Sequence, residues 1–273
     1  MRSKKLKWGN YRLFFRIMGS VFPVLILGWI LANKNGERQT LSPVESLNEL
    51  KEKKPCIAIV IDDFGYRNDH VIDGFLTLNI QISYAVIPGH NYSSQFAREA
   101  HSKGFEVLVH MPMESHEKTE GKEFYMIHSS MTPFEIKNEI LTVFNEIPEA
   151  IGMNNHQGSK ITEMEWVMES IGQTLKTKDK YFLDSRTSPE TKAEESMQKL
   201  QVKTGHRNIF LDNELEEMYV TEQLEELGLI AESEGFAIGI GHARELTLSV
   251  LEKYIPEMIQ KGFQFCFVSD VLK

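Results

Sequence analysis

The sequence contains few of the residues that mark several protein classes. Its 273 residues include only two cysteines, nine prolines and 18 glycines. These numbers exclude a small scaffold held by many disulfides, a collagen-like repeat and a disordered chain of low complexity. Hydrophobic residues make up 41% of the chain, and this length allows either one large α/β domain or two smaller domains.

The chain also lacks the common nucleotide-binding motifs. After the first apolar run the sequence reads Asp62-Asp63-Phe64-Gly65, which is not the GxGxxG pattern of dinucleotide-binding folds. There is no P-loop pattern and no internal repeat. An open, doubly wound sheet therefore stays an alternative fold without a motif to support it.

Acidic residues are absent from the first 36 positions. That segment carries seven Lys or Arg residues, which leaves 23 basic against 39 acidic residues in 37–273. Such an acidic body repels the phosphates of nucleic acids. We therefore expect no nucleic-acid partner.

The basic N-terminal segment precedes an apolar run. Residues 17–32 form sixteen positions without a charge, the pattern of a secretory signal or a signal anchor. The length lies between a signal core and a spanning helix, but no small-x-small cleavage site follows. We expect 1–36 to be a cytoplasmic basic end and an uncleaved membrane anchor, with a cleaved signal as the alternative. Either interpretation predicts an extracytoplasmic protein, anchored or secreted.

Residues 37–54 are polar and charged and are interpreted as a linker. From residue 55 to residue 273, short apolar runs alternate with amphipathic stretches, which is typical of βα units with parallel strands. About eight units fit one distorted (β/α) barrel of seven or eight mostly parallel strands. The predicted strands are 57–61, 80–87, 105–109, 150–153, 181–183, 208–211, 236–240 and 264–268, and the predicted helices are 91–102, 133–145, 163–177, 189–200, 221–233 and 247–260.

The two cysteines, Cys56 and Cys266, each lie in an apolar strand-like run. One disulfide is compatible with an exported protein. Buried cysteines also behave as small hydrophobic side chains, and that interpretation is favoured here.

Acidic and histidine residues recur where the predicted strands end. Because the carboxyl ends of parallel strands meet at one edge of a barrel, this edge is where sites are built. The residues concerned are Asp62, Asp63, His110, His156, Asp184, Asp212 and His242.

One carboxylate and two imidazoles form a common hydrolytic metal site, and Zn²⁺ suits that ligand set. Asp63, His110 and His156 can supply it from three strand ends. Asp62 and Asp63 are expected on different sides of their strand, so that one binds metal and the other handles protons. Asp62 as base and His242 as acid complete the predicted hydrolase.

Five segments resemble the divergent polysaccharide deacetylase family: 59–65, the His110 loop, 154–159, 182–186 and 239–242. The resemblance spans 55–273 and implies a distorted barrel that removes acyl groups from a glycan with a divalent metal, in a polysaccharide of peptidoglycan type or another cell-envelope polymer. It implies that Asp62 is the catalytic base, Asp63 a metal ligand and His242 the acid. The family's second motif has two histidines four residues apart, whereas here Glu114 follows His110.

The second imidazole must therefore come from elsewhere, and we expect His156 to supply it, with Glu114 as the fallback. The residues expected to orient these groups or to contact substrate are Glu114, Asn155, Asp184, Arg186 and Asp212. Two other functions stay open. One is a metal-independent glycoside hydrolase with paired carboxylates such as Asp62 and Asp184, and the other is a tethered glycan-binding or scaffold protein without catalysis.

Overall fold

A computed structural model describes residues 31–32, 38–39, 54–117 and 123–273. The chain divides into two compact units, Met1–Glu52 and Lys53–Lys273. In the first unit Leu31–Ala32 (β1) pairs antiparallel with Arg38–Gln39 (β2). The predicted anchor lies outside the described residues except for positions 31 and 32, as does most of the predicted linker. Among the described residues no helix has the length and apolar character needed to cross a membrane.

The second unit is a curled, all-parallel sheet with helices between its strands. The strand order is β8-β7-β6-β5-β4-β3-β10-β9, and β11 pairs with β3 beside β4. The strands are Cys56–Phe64 (β3), Ser83–Val86 (β4), Glu106–Met113 (β5), Gly152–Gln157 (β6), Tyr181–Asp184 (β7), Thr204–His206 (β8), Ile209–Phe210 (β9), Phe236–His242 (β10) and Gln264–Cys266 (β11). The distorted barrel predicted from the sequence is confirmed.

The helices follow the strands as βα units require. They are His70–Phe75 (α1), Ser93–Ser102 (α2), Pro133–Glu146 (α3), Glu165–Thr177 (α4), Ala193–Lys199 (α5), Glu217–Glu234 (α6), Glu245–Gln260 (α7) and Val268–Val271 (α8). Helix α3 begins with a capping box in which Thr132 and Glu135 satisfy each other's backbone amides, as its sequence indicates. Three short elements of the second unit, α1, β8 and α8, were not predicted.

Alternation along the strands divides the core into two clusters. Ile57, Ile59 and Ile61 of β3 join the larger cluster, which includes helix residues, whereas Ala58 and Val60 join a smaller cluster on the other face of the sheet. The same smaller cluster takes Leu108 of β5, Leu183 of β7, and Ile238 and Ile240 of β10. We call this second face the inner face, because it lies within the curl of the sheet.

A two-residue connection joins the two ends of the strand order. Strand β8 lies at one end and β9 at the other, yet only Arg207 and Asn208 separate them in the chain. Asn208 exchanges hydrogen bonds with Ile238 of β10, through its backbone N–H and its side-chain oxygen, both at 2.8 Å. The Arg207 N–H donates to the carbonyl of Asp184 on the β7 side at 3.0 Å. We call the place where the two ends of the strand order, β8 and β9, come together the seam of the barrel. Arg207 and Asn208 connect the two strands there.

Cys56 and Cys266 form a disulfide between β3 and β11, with their Cα atoms 6.1 Å apart. The interpretation of two separate buried thiols is therefore wrong. Its failure has a simple cause: β3 and β11 are 210 residues apart in the sequence, and only the strand order makes them neighbours.

We expect reduction of this disulfide to lower the free energy of unfolding by about 2–4 kcal/mol, since a cross-link across so long a loop restricts the unfolded chain. Urea unfolding with and without reductant measures the effect. The double variant Cys56→Ser/Cys266→Ser is the control and should show the reduced protein's stability in both buffers. Equal midpoints for the wild type with and without reductant would contradict the prediction.

Candidate metal centre

The end of β3 carries two adjacent carboxylates that face the same partner. Asp63 has a left-handed backbone with φ of 71°, and the pairing of β3 with β4 shifts register between Ile61 and Phe64. The bulge interrupts the strand's alternation. As a result, Asp62 Oδ2 lies 3.5 Å and Asp63 Oδ1 lies 3.4 Å from His110 Nε2. The expectation that the two carboxylates point to different sides is wrong for this reason.

Three ligand atoms converge beside this bulge. His156 Nδ1 lies 3.1 Å from His110 Nε2 and 3.2 Å from Asp63 Oδ1. Ligands about 2.0–2.1 Å from a tetrahedral metal lie about 3.3 Å from one another, and the three separations of 3.1, 3.2 and 3.4 Å come close to that value. Asp63 Oδ1 is buried and has no hydrogen-bond donor among the described residues. These residues fit a divalent metal ion.

Asn154 of β6 connects the metal ligands to Asp62. Its Oδ1 lies 2.8 Å from His110 Nδ1, and its Nδ2 donates to Asp62 Oδ1 at 2.9 Å. An acceptor opposite Nδ1 places the proton there and leaves the lone pair of Nε2 facing the cluster. Asn155, which was expected to orient the site groups or to contact substrate, bonds instead to the Ser185 N–H and the Gln157 carbonyl. Side chains alternate along a strand, so residue 154 shares the face of His156, and this signal is present in the sequence.

We expect Asn154→Ala to weaken metal binding by about 10–100-fold, because outer hydrogen bonds of this kind orient the ligating imidazole. A competition titration with a chelating dye measures the affinity. Asn155→Ala is the control on the same strand. Asn155 accepts from the Ser185 N–H at 2.9 Å and donates to the Gln157 carbonyl at 2.8 Å, so its loss should reduce stability and leave metal affinity within about threefold. Unchanged affinity in Asn154→Ala would contradict the orienting role.

The two carboxylates have opposite electrostatic environments. Asp62 is only 2% exposed, and burial raises its pKa, against the opposing effect of His110 and His242. Burial also acts on Asp63, but the imidazoles of His110 and His156 outweigh it and hold its pKa well below the usual range. Such a divided pair is typical of sites where one carboxylate binds and the other moves protons.

His242 lies at the end of β10, next to Asp62 in the β3 pairing register. Its Nδ1 is 2.7 Å from Asp212 Oδ1, and its backbone N–H donates to Asp212 Oδ2 at 2.9 Å. Thr247 Oγ1 donates to the same Oδ2 at 2.6 Å. Burial lowers the pKa of His242, but Asp212 outweighs it and raises the pKa. Asp212 therefore orients this imidazole through Nδ1, and no described residue forms a hydrogen bond with its Nε2.

The remaining predicted residues are not in the cluster. Glu114 forms an ion pair with Lys160 and accepts from the Ser129 N–H at 2.7 Å, and the Lys160 contact lowers its pKa to about 2. Asp184 is fully buried, and its oxygens accept from the Arg186 N–H at 2.8 Å and from Thr191 Oγ1 at 2.9 Å. The structure places neither carboxylate among the candidate metal ligands.

The sequence profile of the family described as "Divergent polysaccharide deacetylase" matches residues 59–272. YibQ of Escherichia coli strain K12, described as uncharacterized, is 37% identical over 199 residues, which cover 73% of this chain and 62% of YibQ. The matched part is thus less than two thirds of that relative. An uncharacterized Haemophilus influenzae protein is 35% identical over 75% of this chain and 73% of its own length.

Among solved structures, the uncharacterized protein ATU2773 from Agrobacterium tumefaciens C58 superposes with a TM-score of 0.73 and 17% identity, covering 90% of this chain and 100% of its own. At that identity the likeness establishes the fold alone. The family match covers most of the chain, and the two curated relatives match similar shares of it, 73% and 75%. The chain belongs to the divergent polysaccharide deacetylase family.

Proposed function

We propose that this protein is an extracytoplasmic, metal-dependent deacetylase that removes acyl groups from a glycan of the cell envelope. One observation carries the proposal: the Asp63, His110 and His156 ligand set lies beside a buried carboxylate, Asp62, and an imidazole held by Asp212. A hydrolase that splits an amide or an ester needs these elements together.

Asp63, His110 and His156 would hold the divalent ion, and their nitrogen and carboxylate ligands suit Zn²⁺. When bound, such an ion lowers the pKa of water and polarises an acyl oxygen.

The protein's own residues then manage the protons. Asp62 is the proton acceptor, since it borders the ligand cluster and is held in place by the Asn154 amide at 2.9 Å. His242 is the proton donor to the departing sugar nitrogen or oxygen, because Asp212 fixes its Nδ1 and raises its pKa. A raised pKa favours the protonated imidazole that a general acid requires.

Two features support the proposed location outside the cytoplasm. The Cys56–Cys266 disulfide is of the kind that persists in oxidising compartments. The basic segment and the uncharged run of residues 17–32 form the pattern of an export signal or anchor.

The test is acetate release from N- and O-acetylated glycans by the full-length protein, stripped of metal and then supplied with Zn²⁺. The proposal expects release that depends on added metal. Stoichiometric metal binding without release from any acetylated glycan would favour the non-catalytic glycan-binding alternative. Metal-independent cleavage of glycosidic bonds would favour the glycoside hydrolase, but Asp184 is buried with both oxygens occupied and offers no second carboxylate for that reaction.

A further inference from the structure

Two arginines border an open cleft at the seam of the barrel. The cleft has a volume of about 540 Å³ and is lined by Arg186, Ser188, Pro189, Thr191, Arg207 and Asn208. Arg186 is exposed, whereas Arg207 is half-buried. The metal-site chemistry described above uses neither guanidinium.

Among the described residues, neither guanidinium lies within ion-pair distance of a carboxylate, although the chain has 39 acidic residues. The nearby carboxylates have other partners. Asp184 is bound by the Arg186 N–H and Thr191, Glu194 lies 2.6 Å from His206 Nδ1, and Glu163 accepts from Ser188 Oγ at 2.6 Å.

The two positive charges also act on each other. Burial lowers the pKa of Arg207 to about 10, with Arg186 acting in the same direction and Asp184 and Asp62 against it. An arginine at that pKa is still charged at neutral pH. Two like charges with no carboxylate in ion-pair contact are suited to an external anion, since guanidinium groups bind carboxylates by paired hydrogen bonds.

The cleft is close to the proposed proton donor. The Arg207 guanidinium carbon lies 3.7 Å from the centre of the Phe210 ring. The Phe210 ring is nearly parallel to the His242 ring, with centres 6.0 Å apart and planes at 13°. Through Phe210, the Arg207 guanidinium lies no more than about 10 Å from the His242 ring, within the reach of one oligosaccharide.

We propose that Arg186 and Arg207 form a subsite for a carboxylate carried by the glycan, on a sugar near the one that loses its acyl group. The substrate is then an acidic glycan. This inference rests on the proposed function. The subsite supplies local positive charge on a body that has 23 basic and 39 acidic residues in 37–273 and would otherwise repel an anionic polymer.

Arg186→Gln is the variant of choice, because the Arg186 side chain makes no hydrogen bond among the described residues. Arg207 is unsuitable, since its Nε and Nη2 donate to the carbonyls of Ser185 and Arg186 at 2.9 and 3.1 Å and hold the seam. Arg98→Gln is the matched control, an exposed arginine of α2 whose loss changes the net charge by the same amount.

The experiment is calorimetric titration of the full-length, metal-stripped protein with two probes. One is the disaccharide of N-acetylglucosamine and N-acetylmuramic acid, and the other is its methyl ester, which lacks only the negative charge. We expect the acid to bind at least tenfold more tightly than the ester to wild type and to Arg98→Gln. In Arg186→Gln the preference should fall to about twofold.

Equal binding of acid and ester by wild type, an unchanged preference in Arg186→Gln, or binding of neither probe would overturn the subsite. Acetate release from the acidic disaccharide and from a neutral N-acetylglucosamine tetramer, measured in parallel with added Zn²⁺, tests the proposed function separately. Release without a charge preference would remove the subsite and keep the deacetylase. A charge preference without release from any acetylated glycan would keep the subsite and remove the deacetylase.

Discussion

Replacing Asp62 by Asn is expected to lower turnover on an acetylated glycan by about 10²–10⁴-fold, the usual contribution of a general base. The introduced amide keeps the size of the carboxylate, and its oxygen can still accept from Asn154, whose Nδ2 lies 2.9 Å from Asp62 Oδ1. The metal ligands stay intact, so elemental analysis should find the same metal content in both proteins. Initial rates of acetate release measure the loss.

Asp73→Asn is the matched control for that variant, because it removes a carboxylate from an exposed position on α1 and should leave turnover within about twofold. An Asp62→Asn protein that retains more than a tenth of wild-type turnover would rule out Asp62 as the base. Loss of metal in the same variant would instead make Asp62 a ligand.

His156→Ala is expected to abolish stable metal binding, from about one ion per chain to almost none after dialysis. A site with three protein ligands loses one third of them, and the affinity should fall by more than the roughly 10–100-fold that outer-contact changes cost. His156 is a better target than His110, because its side chain is 18% exposed against 3% for His110, so its removal leaves the core packed. Elemental analysis of the purified full-length chain measures the metal.

The control for His156→Ala is His116→Ala. His116 also faces a carboxylate, Glu163, at 2.9 Å, but no second imidazole joins that pair among the described residues. The control should keep the wild-type metal content. If His156→Ala retained a full equivalent while His116→Ala lost it, the metal would lie at the exposed pair and the assignment of the centre would fail.

Much of the site could be predicted from the sequence, because side chains alternate between the two faces of a strand. Side chains at 58 and 60 of β3, 108 of β5, and 238 and 240 of β10 pack on the inner face. Counting on by twos from these positions reaches Asp62, His110 and His242. The sequence therefore predicts that these side chains project into one space at the carboxyl edge of the sheet.

The same rule explains two residues that were misplaced. Leu183 is on the inner face, so Asp184 must point to the opposite face, where it accepts hydrogen bonds from Arg186 and Thr191. Asn155 is next to His156 in the strand, so its side chain points to the opposite face. Asp63 breaks the rule, because its left-handed backbone turns an outward position inward, and no periodic pattern in the sequence reveals such a bulge.

Other features needed the fold itself. Strand β8 has three residues and α1 has six, too few to show a hydrophobic period. The disulfide and the seam depend on strand order, which brings distant segments together. Neither has a signal in its local sequence.

The position of β3 in the middle of the sheet has a consequence for how the protein folds. β3 is the first strand of the barrel, and it pairs early in the chain with β4, but its other neighbours, β10 and β11, come at residues 236–242 and 264–266. The edge of β3 that pairs with β10 has no partner until nearly all of the barrel has been synthesised. Contacts between such distant segments slow folding and leave an exposed edge that invites aggregation. The Cys56–Cys266 bond joins the first and last strands of the barrel and cannot form until both have been synthesised.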